Sequence, residues 1–236
     1  MMYLLHPCKY VFTGTITNWR GRDMRRLWVA IAVLTLVVLL AGSSRAQMTF
    51  AAGPRIGFNL GSCSLDPDLA GGATKGGRFG MIFGATAEVG FNKMFFVVLE
   101  PIYIQKGFTI TGQGGTETYK FNYLNLPLYF KVKFLQGKLR PYAFLGPDFG
   151  LMLSATQTRE LTGQTATDVD FSDVIGSDFS LDFGGGAEYM VASKISIIGD
   201  VRYMLGLKSV YSNATQPNQS IKTGGFVIMF GALFQI

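Results

Sequence analysis

The chain has 236 residues, with 21 Lys and Arg against 15 Asp and Glu, one His, two Cys and a formal net charge of +6. That length holds one domain, or one domain with a targeting segment. The positive surplus does not point to nucleic acid. Lys9, Arg20, Arg22, Arg25, Arg26 and Arg45 all lie in the first 46 residues with one acid, Asp23, which leaves 15 bases (21 less six), 14 acids (15 less one) and no clustered basic patch beyond them.

At the N-terminus, Met24 is followed by Arg25 and Arg26, then by the 16-residue apolar run Leu27 to Gly42, then by Ser44-Arg45-Ala46-Gln47. Basic, apolar and small-residue regions in that order predict a signal peptide over 24–46, cleaved between Ala46 and Gln47. A membrane anchor is the alternative, but the run falls short of the ~20 residues that a spanning helix needs. Residues 1–23 read as an over-extended start, and 47–236 as the mature domain. Cleavage removes His6, Cys8, Trp19 and Trp28, so Cys63 remains without an internal disulfide partner and reads as an incidental loop residue.

From Thr49 onward the apolar pattern has period two. Eight strands follow in order: Ala52–Leu60, Gly80–Phe91, Phe95–Ile110, Leu124–Phe134, Leu139–Leu153, Phe179–Val191, Ile195–Leu207 and Phe226–Ile236. The last shows the pattern most clearly, with Phe226, Ile228, Phe230, Ala232, Phe234 and Ile236 sharing one face. On the other strands one face is apolar, and the second holds glycines and the charges Arg55, Glu88, Glu100, Lys106, Lys131, Lys133, Arg140, Asp148, Asp182, Glu188, Asp200 and Arg202.

Short and long connections alternate. Asn92-Lys93-Met94, Gln136-Gly137-Lys138 and Ala192-Ser193-Lys194 are tight, whereas Gly61–Gly77, Thr111–Thr118, Ala155–Ser177 and Ser212–Ser220 are longer and polar. Short turns at one end and long loops at the other are the pattern of outer-membrane barrels, with the short ends in the periplasm. The predicted fold is all-β: an eight-stranded antiparallel up-and-down transmembrane β-barrel after an N-terminal signal-peptide helix.

A soluble barrel with its apolar face inside is the competing reading. An eight-stranded interior is only just wide enough for side chains, and Phe, Leu, Ile and Tyr crowd the apolar face on nearly every strand, while Gly57, Gly84, Gly146, Gly150, Gly184 and Gly186 lie on the other. Bulk belongs outside and small residues inside. The second face also balances six acids with six bases, as a lumen closed by ion pairs requires.

The segments Gly53–Leu60, LEPIYIQKG (99–107), YLNLPLYFKVKF (123–134), LRPYAFLGPDFG (139–150), DFGGGAEYMV (182–191) and IIGDVRYMLGL (197–207) follow one another in the order of a known group. In these the chain resembles the PorT-like outer-membrane β-barrel family of Bacteroidetes, over essentially all of 50–236. It departs at Asn125, where the family often has an acid, and at its end, Phe234-Gln235-Ile236, where such barrels often finish on an aromatic. The resemblance implies the barrel fold, the outer membrane and no shared catalytic activity.

With no His after residue 46, a Ser-His-Asp hydrolase or His-based zinc site is not expected. Glu88, Glu188 and Asp200 could form a carboxylate pair, although equal numbers of cations favour a structural role. A Ca²⁺ site from Asp168, Asp170 and Asp173 is the metal alternative to a solvated acidic loop. Gly184-Gly185-Gly186 precedes no helix and is not a phosphate loop. The expected protein is non-enzymatic, without cofactor or metal. Its partners are outer-membrane lipid and the barrel assembly machinery, not nucleic acid, and its extracellular loops meet a ligand or envelope partner. A narrow pore and, from the resemblance, an accessory role in secretion or assembly are the alternatives.

Overall fold

A computed structural model describes residues 48–66, 73–112, 114–161, 166–170, 172, 175–210 and 220–236. The expected signal peptide, its cleavage at Ala46 and the over-extended start lie outside these residues. The described strands are β1 (Thr49–Asp66), β2 (Thr74–Gly90), β3 (Phe95–Leu99), β4 (Ile102–Gly112), β5 (Gly115–Lys133), β6 (Leu139–Leu161), β7 (Thr167–Asp170), β8 (Asp178–Ala192), β9 (Ile195–Gly206) and β10 (Ser220–Gln235).

All pairings are antiparallel, and the chain closes on itself. β1 pairs with both β2 and β10, β10 with β9, β9 with β8, β8 with β6, and β6 with β5. β3 and β4 each pair with β2 and β5, so the two share one position and the ring has eight staves. Closure leaves no unpaired backbone edge around the wall, the condition a sheet must meet to sit in lipid. The short β7 lies outside the ring and pairs with β6.

The third predicted strand, Phe95–Ile110, is two strands because Pro101 has no N–H to give the ladder. The break is held from both sides: Ala85 N donates to Pro101 O (3.1 Å) and Glu100 N to Pro127 O (3.1 Å). A bulge on β2 between Gly77 and Ile82 shifts the register with β4. There Arg78 Nη1 donates to Lys106 O (2.8 Å), Met81 N to Gln105 Oε1 (3.2 Å), and Gly107 takes a φ of +148° open to glycine.

The apolar stripe faces out. Phe58, Phe83, Leu126, Phe149, Val201 and Phe230 are exposed around the ring, whereas alternate residues such as Glu88, Asn125, Asp148 and Arg202 are buried. Cross-strand aromatic pairs tile the outer surface, among them Phe83–Tyr103 at 4.8 Å, Phe149–Phe179 at 5.0 Å and Tyr203–Phe226 at 5.0 Å between ring centroids. A continuous apolar belt on a closed barrel is matched to hydrocarbon, not to water.

The tight turns fall where the sequence places them, but the far end differs. Thr111–Thr118 is not a long loop: β4 and β5 stay paired up to Gly112↔Gly115, a hairpin whose Gly115 has a φ of +143°. β5 and β6 also continue as a ribbon in which Thr116–Asn122 pair with Ser154–Glu160, and β7 extends it by one strand. Beyond the apolar belt both faces of a strand meet water, so the side chains lose their alternation while the backbone pairing continues.

Candidate functional site

Every one of the twelve predicted second-face charges points into the ring; eleven are buried, and Arg140 is partly exposed at the short-turn end. Alternation on eight converging strands makes this unavoidable, since a charge at any inward position must share one narrow lumen with the rest. What decides the chemistry is how they meet.

At the short-turn end Glu88 pairs with Lys131 and with Lys133 Nζ (3.0 Å). Lys133 also reaches Glu188 Oε2 (2.5 Å), and Arg140 Nη1 lies 3.5 Å from Glu188 Oε1. The lysines rest on aromatic faces, Lys131 over Tyr142 at 3.8 Å and Lys133 over Phe96 at 3.9 Å.

A second set occupies the middle. Arg202 Nε and Nη2 donate to Asp200 Oδ1 (3.0 and 2.7 Å), while its Nη1 donates to Glu100 Oε2 (2.9 Å) and to the Tyr129 hydroxyl (2.9 Å). Arg55 pairs with Asp200 and lies 3.5 Å from Glu100 Oε1. The Tyr142 hydroxyl donates to Asp200 Oδ2 (3.0 Å). Two guanidinium groups thus share two carboxylates in one charge-assisted set, centred on Arg202. The β8 glycines make room for it: a β-carbon at Gly184 would stand 2.8 Å from Arg202 Cα, and one at Gly186 would stand 2.6 Å from Asp200 Cβ.

The expected balance of twelve paired charges needs correction at three acids. Lys106 pairs with Asp178 (2.7 Å), a residue absent from the twelve, and Thr223 Oγ1 also donates to Asp178 (2.8 Å). Among the described residues, Asp148 and Asp182 have no ion pair within 4.0 Å. Asn125 donates to Asp148, and the Tyr129 hydroxyl (2.9 Å) and Ser180 Oγ (2.8 Å) donate to Asp182. Neutral donors hold these two carboxylates where cations were expected. Asp178 was legible as the next inward position before Ser180 and Asp182, but a strand boundary set at the aromatic Phe179 excluded it.

Nor do Glu88, Glu188 and Asp200 form a carboxylate pair. Lys133 separates the first two, and two arginines enclose the third. Among the described residues no three His, Cys, Asp or Glu side chains are grouped as metal ligands. Of the calcium candidates, Asp173 lies outside the described residues, Asp168 accepts from Thr158 Oγ1 (2.6 Å), and Asp170 accepts from Ser172 N (2.8 Å).

Toward the opposite end the lumen is mostly apolar and encloses the Lys106–Asp178 pair, a feature that the charge pattern hid. Ile82, Ile104, Phe108, Phe121, Met204 and Met229 are buried in one cluster, and Ile175 and Val210, beyond the belt, close onto it. This cap is tied by Gly176 N donating to Val210 O (2.7 Å) and by the Tyr123 hydroxyl donating to Gly176 O (3.1 Å). An ion-paired floor and a mainly hydrophobic roof, crossed by the Lys106–Asp178 pair, together fill the ring.

A closed eight-stave barrel, apolar outside and charged within, is the architecture of small outer-membrane barrels, and the sequence comparison decides the family: residues 41–212 match the model described as outer membrane protein beta-barrel domain. The chain belongs to that family. Its compartment is therefore the outer membrane. Among solved structures it is similar to OprG from Pseudomonas aeruginosa, at 14% identity and a TM-score of 0.51 over 80% of this chain and 95% of that one. It also matches neisserial surface protein A, NspA (10% identity, TM-score 0.46, 80% and 97% covered), and Ail of Yersinia pestis (15% identity, TM-score 0.42, 79% and 98% covered). At these identities the likeness to OprG is one of fold. No curated protein matches the sequence.

Proposed function

We propose that this protein is a non-enzymatic barrel of the PorT-like group, exported on a signal peptide cleaved after Ala46, whose lumen stays closed and whose extracellular loops engage a ligand or an envelope partner. The filled lumen carries this reading. Arg55, Glu100, Asp200 and Arg202 cross it as one hydrogen-bonded set, and the Phe108–Phe121–Met229 cluster fills it above. A conduction path would have to separate paired buried charges, each step costing several kcal/mol. The wall supplies stability, and the long connections are where binding residues concentrate on a rigid scaffold.

Planar-bilayer recording on the purified mature chain, its N-terminus at Gln47, tests the proposal. The expected result is a quiet membrane. Steady single-channel currents would overturn the closed lumen in favour of a narrow pore for small solutes.

A further inference from the structure

All three tight turns carry one lysine and no acid: Lys93 in Phe91–Met94, Lys138 in Phe134–Lys138, and Lys194 in Ala192–Lys194. All three lysines are exposed. The nearest acids in sequence to two of these turns, Glu88 and Glu188, face the lumen and are engaged there by Lys131, Lys133 and Arg140. The three turns are cationic, with no acidic side chain of their own.

The turns are also fixed in place. Asn92 Oδ1 accepts from Met94 N and Phe95 N (both 2.7 Å), and Lys133 N donates to Met94 O (2.8 Å). Lys138 O accepts from Met190 N (2.7 Å), and Lys194 O accepts from Gln235 N (2.8 Å). Because these turns join β2 to β3, β5 to β6 and β8 to β9, a lysine stands in each of the three hairpins at that end, and the fourth junction is where β1 meets β10.

Each sits beside the belt. The neighbouring residues Met94, Leu139 and Ile195 expose their apolar side chains outward. A lysine there lays its stem against the edge of the hydrocarbon and lifts its ammonium to the level of lipid phosphates.

From charge complementarity and this continuity with the lipid face, we infer that the Lys93–Lys138–Lys194 rim is a docking surface for the phosphate groups of anionic phospholipids in the periplasmic leaflet. The inference rests on the proposed orientation, with short turns in the periplasm. Three ammonium groups carried on fixed turns at one end then clamp the barrel's depth, since sliding toward either side draws them away from the phosphates.

The experiment unfolds the refolded mature barrel with urea in vesicles of zwitterionic phospholipid alone and in vesicles with anionic phospholipid added. Anionic lipid is expected to raise the folded-to-unfolded ratio of the wild type by up to about fivefold per lysine at low salt, with the gain fading as salt is raised. The K93Q/K138Q/K194Q triple variant should lose most of that gain, and the corresponding Arg triple should keep it. Equal gains for wild type and the Gln triple, or no gain for either, would overturn the inference. Orientation fails separately: on a Cys63→Ser background, labelling of Lys138→Cys by a membrane-impermeant thiol reagent on intact cells would place the turns outside.

Discussion

Replacing Arg202 with Met is expected to lower the unfolding free energy of the barrel by about 3–5 kcal/mol, the cost of leaving a buried ionic set without one of its partners. Arg202 is 3% exposed and donates to Asp200, Glu100 and Tyr129 at once. Met fills much of the same volume, so the loss reports charge, not packing. Arg55 remains to serve both carboxylates but already lies against them. Urea titration in vesicles reads the change. Adding Glu100→Gln should recover part of it, because the double variant buries one charge fewer. A single variant within about 0.5 kcal/mol of wild type, the range of ordinary surface changes, would mean that water, not protein, solvates the middle of the lumen.

Phe230→Arg tests the other face. Phe230 is the central residue of the outward series Phe226, Ile228, Phe230, Ala232 and Phe234, and is 51% exposed. At the middle of the hydrocarbon an arginine on the lipid side costs about 2–4 kcal/mol, falling to ~0–1 near the interfaces. The same substitution at Phe226 or Phe234, toward the ends of the belt, is therefore expected to cost less than at Phe230. On a water-exposed sheet all three positions would cost little and show no dependence on depth. A flat profile would remove the lipid reading of this surface.

How much of this could be read from residues alone follows from what side-chain periodicity records. A strand with lipid on one side and a packed lumen on the other must alternate, and β10 does so from Phe226 to Phe234. The strand order, the three tight turns and the inward direction of the charges were legible for that reason. The ends of β5 and β6 were not. Thr116–Lys120 and Thr156–Glu160 stay paired without alternation, because both faces there meet polar surroundings.

The lumen was legible by face but not by partner. Nothing in the spacing of Asp148 and Asp182 says that Asn125, Tyr129 and Ser180 hold them, or that Lys106 turns to Asp178, since these contacts join strands far apart in sequence. Asn125 donates to Asp148, which an ionised carboxylate at that position could not do. The inward apolar residues Ile82, Phe121 and Met229 were masked by an outward stripe of the same chemistry. Single-residue hydrophobicity carries no direction once both faces are apolar.

One side of each strand touches lipid and the other touches a sealed lumen. Fluorophore labels placed singly from Gly224 to Phe234 on a Cys63→Ser background, read with one lipid-soluble and one water-soluble quencher, test it directly. Even positions should be quenched from the lipid phase, and odd ones should be protected from both quenchers. Aqueous quenching of the even positions would contradict the lipid-facing belt, and aqueous quenching of the odd positions would contradict the sealed lumen.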